Sequence, residues 1–196
     1  MNKNEFISIK FDLVNGLIQW YTRKYHIKLS ELRDYAYDSN EVDKLIMEKG
    51  DYVIYEVYEI ERPVVEGEMI FGVTRIFPGV IGQEYNFTRG HYHVNKMAGE
   101  IYVGIKGCGL MLLQDLQGNF FTEVLERGSL IYIPGKYAHR VVNTCDEDLV
   151  FLFAYPAIAG HDYELIKKCG FKKVVLNIEG KPTIIDNPKY NKCKQS

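Results

Sequence analysis

The rhythm of its middle constrains this chain most. From about Thr74 to Tyr155, short apolar segments are cut at close intervals by Pro78-Gly79, Gly82, Gly90, Gly99, Gly104, Gly107, Gly109, Gly118, Gly128 and Pro134-Gly135. Such punctuation leaves room for strands and turns, and regularly spaced strands predict an antiparallel sandwich or barrel. Leu116-Gln117-Gly118-Asn119, set between MLLQ and FFTEV, reads as a hairpin turn.

The flanks are mixed. Ser39-Asn40 is expected to cap a short helix carrying Val42, Leu45 and Ile46 on one face and ended by Gly50. The run from Asp51 to Ile60 alternates, with Val53, Tyr55 and Val57 on one face, and residues 70–75 read as a further strand. Asp162 is expected to cap a helix that runs to about Cys169 and stops at Gly170. VVLNI and PTII follow as closing strands, and NPKYNKCKQS reads as a frayed tail. A length of 196 residues suits one core. One domain is therefore expected, with an extension and short helix over 1–50, a barrel and closing elements over 51–185, and a tail over 186–196.

The formal net charge of −2 gives no basic excess for capturing nucleic acid or an anionic membrane. MNKNEFISIKFDLV lacks a secretory apolar run, and no stretch is long enough to cross a bilayer. Cys108, Cys145, Cys169 and Cys193 form no C-x-x-C pair, so free thiols in a reducing cytoplasm are expected.

The chemistry concentrates around three of the five histidines. His91 and His93 are two residues apart, so on a strand both imidazoles face one way. Glu100 opens the next apolar segment after a turn at Ala98-Gly99, and His139 lies in a separate segment that antiparallel pairing can bring alongside. A lone histidine is more often a satisfied core or surface residue; four donors in this text are a candidate metal site. Three imidazoles and a carboxylate suit Fe, Mn, Ni, Co or Zn better than Ca or Mg, and they leave coordination positions open for a ligand.

The surrounding text resembles the two motifs of the cupins. One motif has the form G-x5-H-x-H followed by a Glu and, later, a Gly; here Tyr85 stands where the first Gly falls, while Glu100 and Gly107 keep their separation. The other has the form G-x5-P-x-G-x-x-H-x3-N; Gly128, Pro134, His139 and Asn143 fit, with Lys136 at the usual glycine and Gly135 one position early. The gap between His93 and Glu100 is longer than in most cupins. The resemblance sharpens in TRIFPGVIGQEYNFTRGHYH, EIYVGIKGCGLMLLQ, YIPGKYAHRVVN and YPAIAGHDY. These segments resemble cupin-type, metal-dependent glucose-6-phosphate isomerase, over roughly residues 7–190. Ile158, where similar sequences tend to have Asp, and Glu164, in place of a small residue, depart from it.

The resemblance implies an all-β dominated cupin barrel (a double-stranded β-helix, or jelly roll) with short flanking helices. It also implies a homodimer and interconversion of glucose 6-phosphate and fructose 6-phosphate. One divalent metal per subunit, iron first with Mn, Ni, Co or Zn as alternatives, would be held by His91, His93, Glu100 and His139. Glu100 is the candidate base as well as a ligand, and a direct hydride shift remains open beside the enediol route. Tyr102 shares Glu100's strand face; Tyr155, His161 and Tyr163 lie in the last matching segment. Tyr155 and His161 are candidates for proton transfer. Thr74, Thr88 and Gly90 match positions that cradle the phosphate. Thr88 is an odd number of residues from His91, so a bulge at Arg89-Gly90 is needed to bring it to the same face. Arg89 and Lys106 are further candidate charges, Arg140 is expected to face away, and the opposite face of Asp51–Ile60 is a candidate interface. The alternatives are an iron-dependent cupin oxygenase, which needs no phosphate nest, and a non-catalytic sugar-binding cupin.

Overall fold

Period-2 alternation closes this chain into a barrel. The computed structural model describes residues 6–190. Its strands, in chain order, are β1 (Arg23–Lys28), β2 (Val53–Ile60), β3 (Met69–Ile76), β4 (Val80–Ile81), β5 (Glu84–Tyr85), β6 (Tyr92–His93), β7 (Glu100–Lys106) and β8 (Cys108–Gln114). They continue as β9 (Phe120–Glu126), β10 (Leu130–Ile133), β11 (Ala138–Asn143), β12 (Leu149–Pro156), β13 (His161–Asp162), β14 (Lys173–Ile178) and β15 (Lys181–Asp186). The α-helices α1 (Ser39–Lys49) and α2 (Glu164–Cys169) and a 3-10 helix over Leu29–Leu32 flank them.

Six strands form one sheet in the order β1-β2-β3-β12-β7-β10. The remaining sheets are β11-β8-β9, β13-β6 and β15-β14-β5-β4. All pairings are antiparallel. Between the large sheet and the smaller ones lies the main core, which includes Ile54, Ile76, Phe87, Met111, Leu112, Leu125, Val141 and Phe151. The expected cupin barrel with flanking helices is the architecture found.

Registers align the inner wall. Val57 faces Thr74, Thr74 faces Phe151, and Phe151 faces Gly104; one step along, Glu59 faces Gly72, Gly72 faces Phe153, and Phe153 faces Tyr102. The outer face of the large sheet carries another, smaller core. Tyr58, Ile60, Val73 and Val150 pack there with Ile18, and Ile7, Ile9 and Phe11 lie against them. This corrects the interface expectation: Tyr58 is buried, with the Tyr21 ring edge-on to it at 5.3 Å. That face of β2 is already covered by the chain's own N-terminal segment.

Other details differ from expectation. The α1 cap is Asp38, whose carboxylate accepts the Asn40 N–H at 2.9 Å, while Gly50 terminates the helix at φ +81° as expected. Asp162 accepts the Glu164 N–H at 3.1 Å at the start of α2. The reading of a frayed tail fails up to residue 190: Asn187 and Tyr190 are buried, and Asn187 Nδ2 donates to Phe171 O at 2.8 Å. The rest of that tail, 191–196 with Cys193, lies outside the described residues. The expectation of free thiols is also corrected. Cys108 and Cys145 form a disulfide, and no described cysteine is free. The pairing of Asn143 with Gly109 brings the two close, with Cα atoms 5.6 Å apart, a proximity that a separation of 37 residues conceals.

Candidate metal centre

His91 and His139 face each other across an antiparallel bridge. His91 N–H donates to His139 O at 3.3 Å, and His139 N–H donates to His91 O at 3.1 Å. The next bridge pairs Phe87 with Val142. Four steps on one strand therefore oppose three on the other, which is the expected bulge. Gly90 makes it, at φ +72°; a Cβ there would lie 2.6 Å from Phe171 Cε2 and 2.9 Å from His139 O. The bulge turns Thr88 to the side of His91, and both line the same cavity. Thr88 Oγ1 accepts from Val141 N–H at 3.0 Å, which leaves the hydroxyl proton free for a ligand.

His93 sits on β6, opposite His161 on β13. The long gap after it has a structural use. The chain turns so that Ala98 O accepts from His93 Nδ1 at 2.6 Å, and Nε2 is thereby aimed inward. Glu100, the first residue of β7, faces Ile133 on β10. Its Oε2 lies 3.1 Å from His93 Nε2 and 3.0 Å from His139 Nε2. One ligand atom from each of His91, His93, Glu100 and His139 lies within 4.8 Å of the others. Nε2 of His91 is buried without a hydrogen-bond partner, and Nε2 of His139, though close to Glu100 Oε2, makes no hydrogen bond of proper geometry. Buried nitrogens aimed at one point and left unpaired fit a metal ion, and the N3O donor set matches the borderline transition metals.

Burial opposes ionisation of Glu100, yet the imidazoles of His139 and His93 bring its pKa down to about 2. His91 is held neutral by burial and by its histidine neighbours. Both are thus in the state a metal requires of them.

The expected residues converge. Thr74, Thr88, Gly90, Tyr102, Tyr155, His161 and Tyr163 line one cavity with His91, Glu100 and His139, while His93 stands just behind the lining. The inner cavity is about 60 Å³ and meets an outer one of about 710 Å³; Tyr25, Glu59, Tyr155, His161 and Tyr163 line both. The His161 ring packs 4.3 Å from that of His91 and 5.1 Å from that of Tyr155. Burial lowers its pKa to about 4, so it is neutral near pH 7. Burial raises the phenols of Tyr102, Tyr155 and Tyr163, the last to about 12. All three are hydrogen-bonding groups in their neutral form.

Of the candidate charges, Arg89 lies at the mouth, with its guanidinium over the Tyr163 ring at 4.9 Å. Lys106 pairs with Glu147 at 3.8 Å and lines neither cavity. Arg140 faces away as expected, 1% exposed, with its guanidinium over the rings of Phe87 and Phe171 at 4.3 and 4.7 Å. Sequence reasoning missed Tyr25 and Glu59. One more step of the alternation through Tyr55 and Val57 would have reached Glu59.

Comparison with known proteins gives the family. The family model for glucose-6-phosphate isomerase (GPI) matches residues 28–192. The chain is 44% identical over 184 residues to the glucose-6-phosphate isomerase of Thermococcus onnurineus, covering 94% of this chain and 96% of that one. It is 40% identical over 192 residues to that of Pyrococcus furiosus, covering 98% and 100%. A putative glucose-6-phosphate isomerase 2 of Rhizobium meliloti is 37% identical over 177 residues, covering 90% and 87%. Among solved structures, a mutant oxalate decarboxylase of Bacillus subtilis aligns with 52% of this chain and 26% of its own, at 23% identity and a TM-score of 0.42. The four inward donors, the cavity around them and the full-length likeness have one common conclusion: this chain belongs to the glucose-6-phosphate isomerase family.

Proposed function

We propose that this protein interconverts glucose 6-phosphate and fructose 6-phosphate with a divalent metal held by His91, His93, Glu100 and His139. The observation that carries this is the convergence of those four donor groups, within 4.8 Å of one another, on a cavity lined by hydroxyl and imidazole groups. The family membership supplies the substrate class, and it favours the isomerase over an oxygenase or a non-catalytic cupin.

The reaction moves hydrogen between C1 and C2 and develops charge on the two oxygens. A bound divalent metal supplies Lewis-acid stabilisation of that charge. Around it the chain's own groups divide the work. Glu100 is the ligand and the proposed proton carrier at C1 and C2. Coordination weakens a carboxylate as a base, so an enediol route would ask Glu100 to hold the metal loosely enough to move the proton. A direct hydride shift needs no such base. Neutral His161 is an acceptor for a sugar hydroxyl, and Tyr102, Tyr155 and Tyr163 orient the chain of hydroxyls. The Thr88 hydroxyl, Thr74 and the backbone at Gly90 are the proposed phosphate cradle. Iron is the first choice of metal, followed by Mn, Ni, Co or Zn. A homodimer in the cytoplasm, acting in glycolysis and gluconeogenesis, completes the reading. No helix of the described residues is long and apolar enough to cross a membrane.

The test is turnover of fructose 6-phosphate by chelator-stripped protein before and after addition of Fe, Mn, Ni or Zn. Restored formation of glucose 6-phosphate, lost in Glu100→Gln, is the expected result. Metal binding without turnover for any of the four would overturn the reading.

A further inference from the structure

The inner face of β2 runs Tyr55, Val57, Glu59, so alternation carries a carboxyl onto a wall of aromatic and aliphatic groups. Glu59 is 5% exposed and stands where the inner cavity meets the mouth. Its cross-strand neighbour is Gly72, where a Cβ would lie 2.9 Å from the Phe153 ring. The same Cβ would meet the Tyr58 carbonyl and lie 3.0 Å from Glu59 Cα, so only glycine fits opposite Glu59.

Glu59 has few partners, and they are distant. The Tyr155 hydroxyl lies 3.4 Å from Oε2, and Arg23 Nη1 lies 3.8 Å from Oε1. The Arg23 guanidinium is half exposed and also reaches Glu61 at 3.4 Å. A buried carboxyl ordinarily collects close donors; this one keeps acceptor capacity toward the cavity. The titratable groups facing it are Arg23 and Tyr25 from β1, Glu61 beyond its own strand, Tyr155 from β12 and, around the same cavity, His161 from β13 and Tyr163. The adjoining β3 offers only Gly72 and Ile70. Burial, and then Glu61, raise its pKa against the pull of Arg23.

The Tyr155 hydroxyl carries one proton and two lone pairs. Beside an ionised Glu59 it donates to the carboxylate and presents a lone pair to the cavity. Beside a protonated Glu59 it receives that bond and turns its own O–H inward. We propose that Glu59 is a positioning residue for the isomerase, whose ionised carboxylate fixes Tyr155 as an acceptor for a sugar hydroxyl. This rests on the isomerase reading above.

The test is kcat and KM for fructose 6-phosphate across pH 4–8, with bound metal measured in parallel, for the metal-loaded protein and for Glu59→Gln, Tyr155→Phe and the double variant. The wild-type kcat/KM rises through an ionisation shifted upward from that of an exposed Glu, and both single variants lack that rise. Each variant keeps its metal and loses roughly ten- to a hundredfold in kcat with KM nearly unchanged. The double variant is no slower than Tyr155→Phe. A wild-type pH profile in either single variant, or losses that simply multiply in the double one, would overturn the proposal while leaving the isomerase intact. A metal-loaded wild type without turnover would remove both.

Discussion

Nε2 of His139 lies 3.0 Å from Oε2 of Glu100, although the two residues stand on strands of different sheets. The barrel must close before the site exists, so metal binding and folding are linked. Stripping the metal with a chelator is expected to lower the Tm, and adding it back to restore it, by an amount that grows with free metal concentration. Glu100→Gln and His91→Ala should abolish that metal-dependent rise. Each should cut kcat/KM by at least about a hundredfold. A thermal melt with and without metal, beside the isomerase assay, checks both.

Gly90 has no spare room. Gly90→Ala places a Cβ 2.6 Å from Phe171 and 2.9 Å from His139 O at a φ of +72°. The expected loss is about 1–3 kcal/mol of stability. Displacement of His91 should weaken metal binding as well. Urea unfolding and bound-metal stoichiometry measure the two effects separately.

Arg140 is a buried cation among aromatic rings, with Glu84 4.0 Å from its Nη1. Arg140→Met should destabilise the fold by about 3–5 kcal/mol because Glu84 is left without its cation. Arg140→Met combined with Glu84→Gln should recover part of that loss. Denaturant midpoints of the three variants give the comparison.

Burial pushes Glu84 up to about 7, against the pull of Arg140 and of the Tyr37 N–H. A carboxyl raised in the folded state binds its proton more tightly there than in the unfolded chain. Its contribution is therefore present below the ordinary carboxylate range and is lost as pH rises toward 7. Across that window, Glu84→Gln should show a flatter dependence of unfolding free energy on pH than the wild type. Identical slopes would remove Glu84 as the cause.

The Cys108–Cys145 disulfide ties the start of β8 to the turn after β11. Cys108→Ser should lower stability by about 2–4 kcal/mol under oxidising conditions. Under a reductant the wild type and Cys108→Ser should melt together, because the difference between them is this one bond. Melts with and without dithiothreitol read this directly.

Much of this protein was legible in its residues. Most of the glycine and proline punctuation marks strand ends because turns need a positive or a fixed φ, but Gly104 and Gly109 lie inside β7 and β8, where a Cβ would meet the backbone of Glu126 and Val142; α1, α2, β2, β3 and the turn over 116–119 fall where local chemistry places them. His91, His93, Glu100 and His139 could be named because metal donors of these types are rare and their spacing is restrictive. Tertiary structure decided what depends on partners distant in sequence. Residue order could not reveal that Cys108 meets Cys145, that the N-terminal segment covers Tyr58, or that Asn187 and Tyr190 are buried. The use of the long gap before Glu100, which brings Ala98 O to His93, also appears only in three dimensions. Alternation alone brings Glu59 to the inner face, but only the closed barrel sets it beside Tyr155, because that neighbourhood depends on the order of strands in the sheet and on the space left at Gly72.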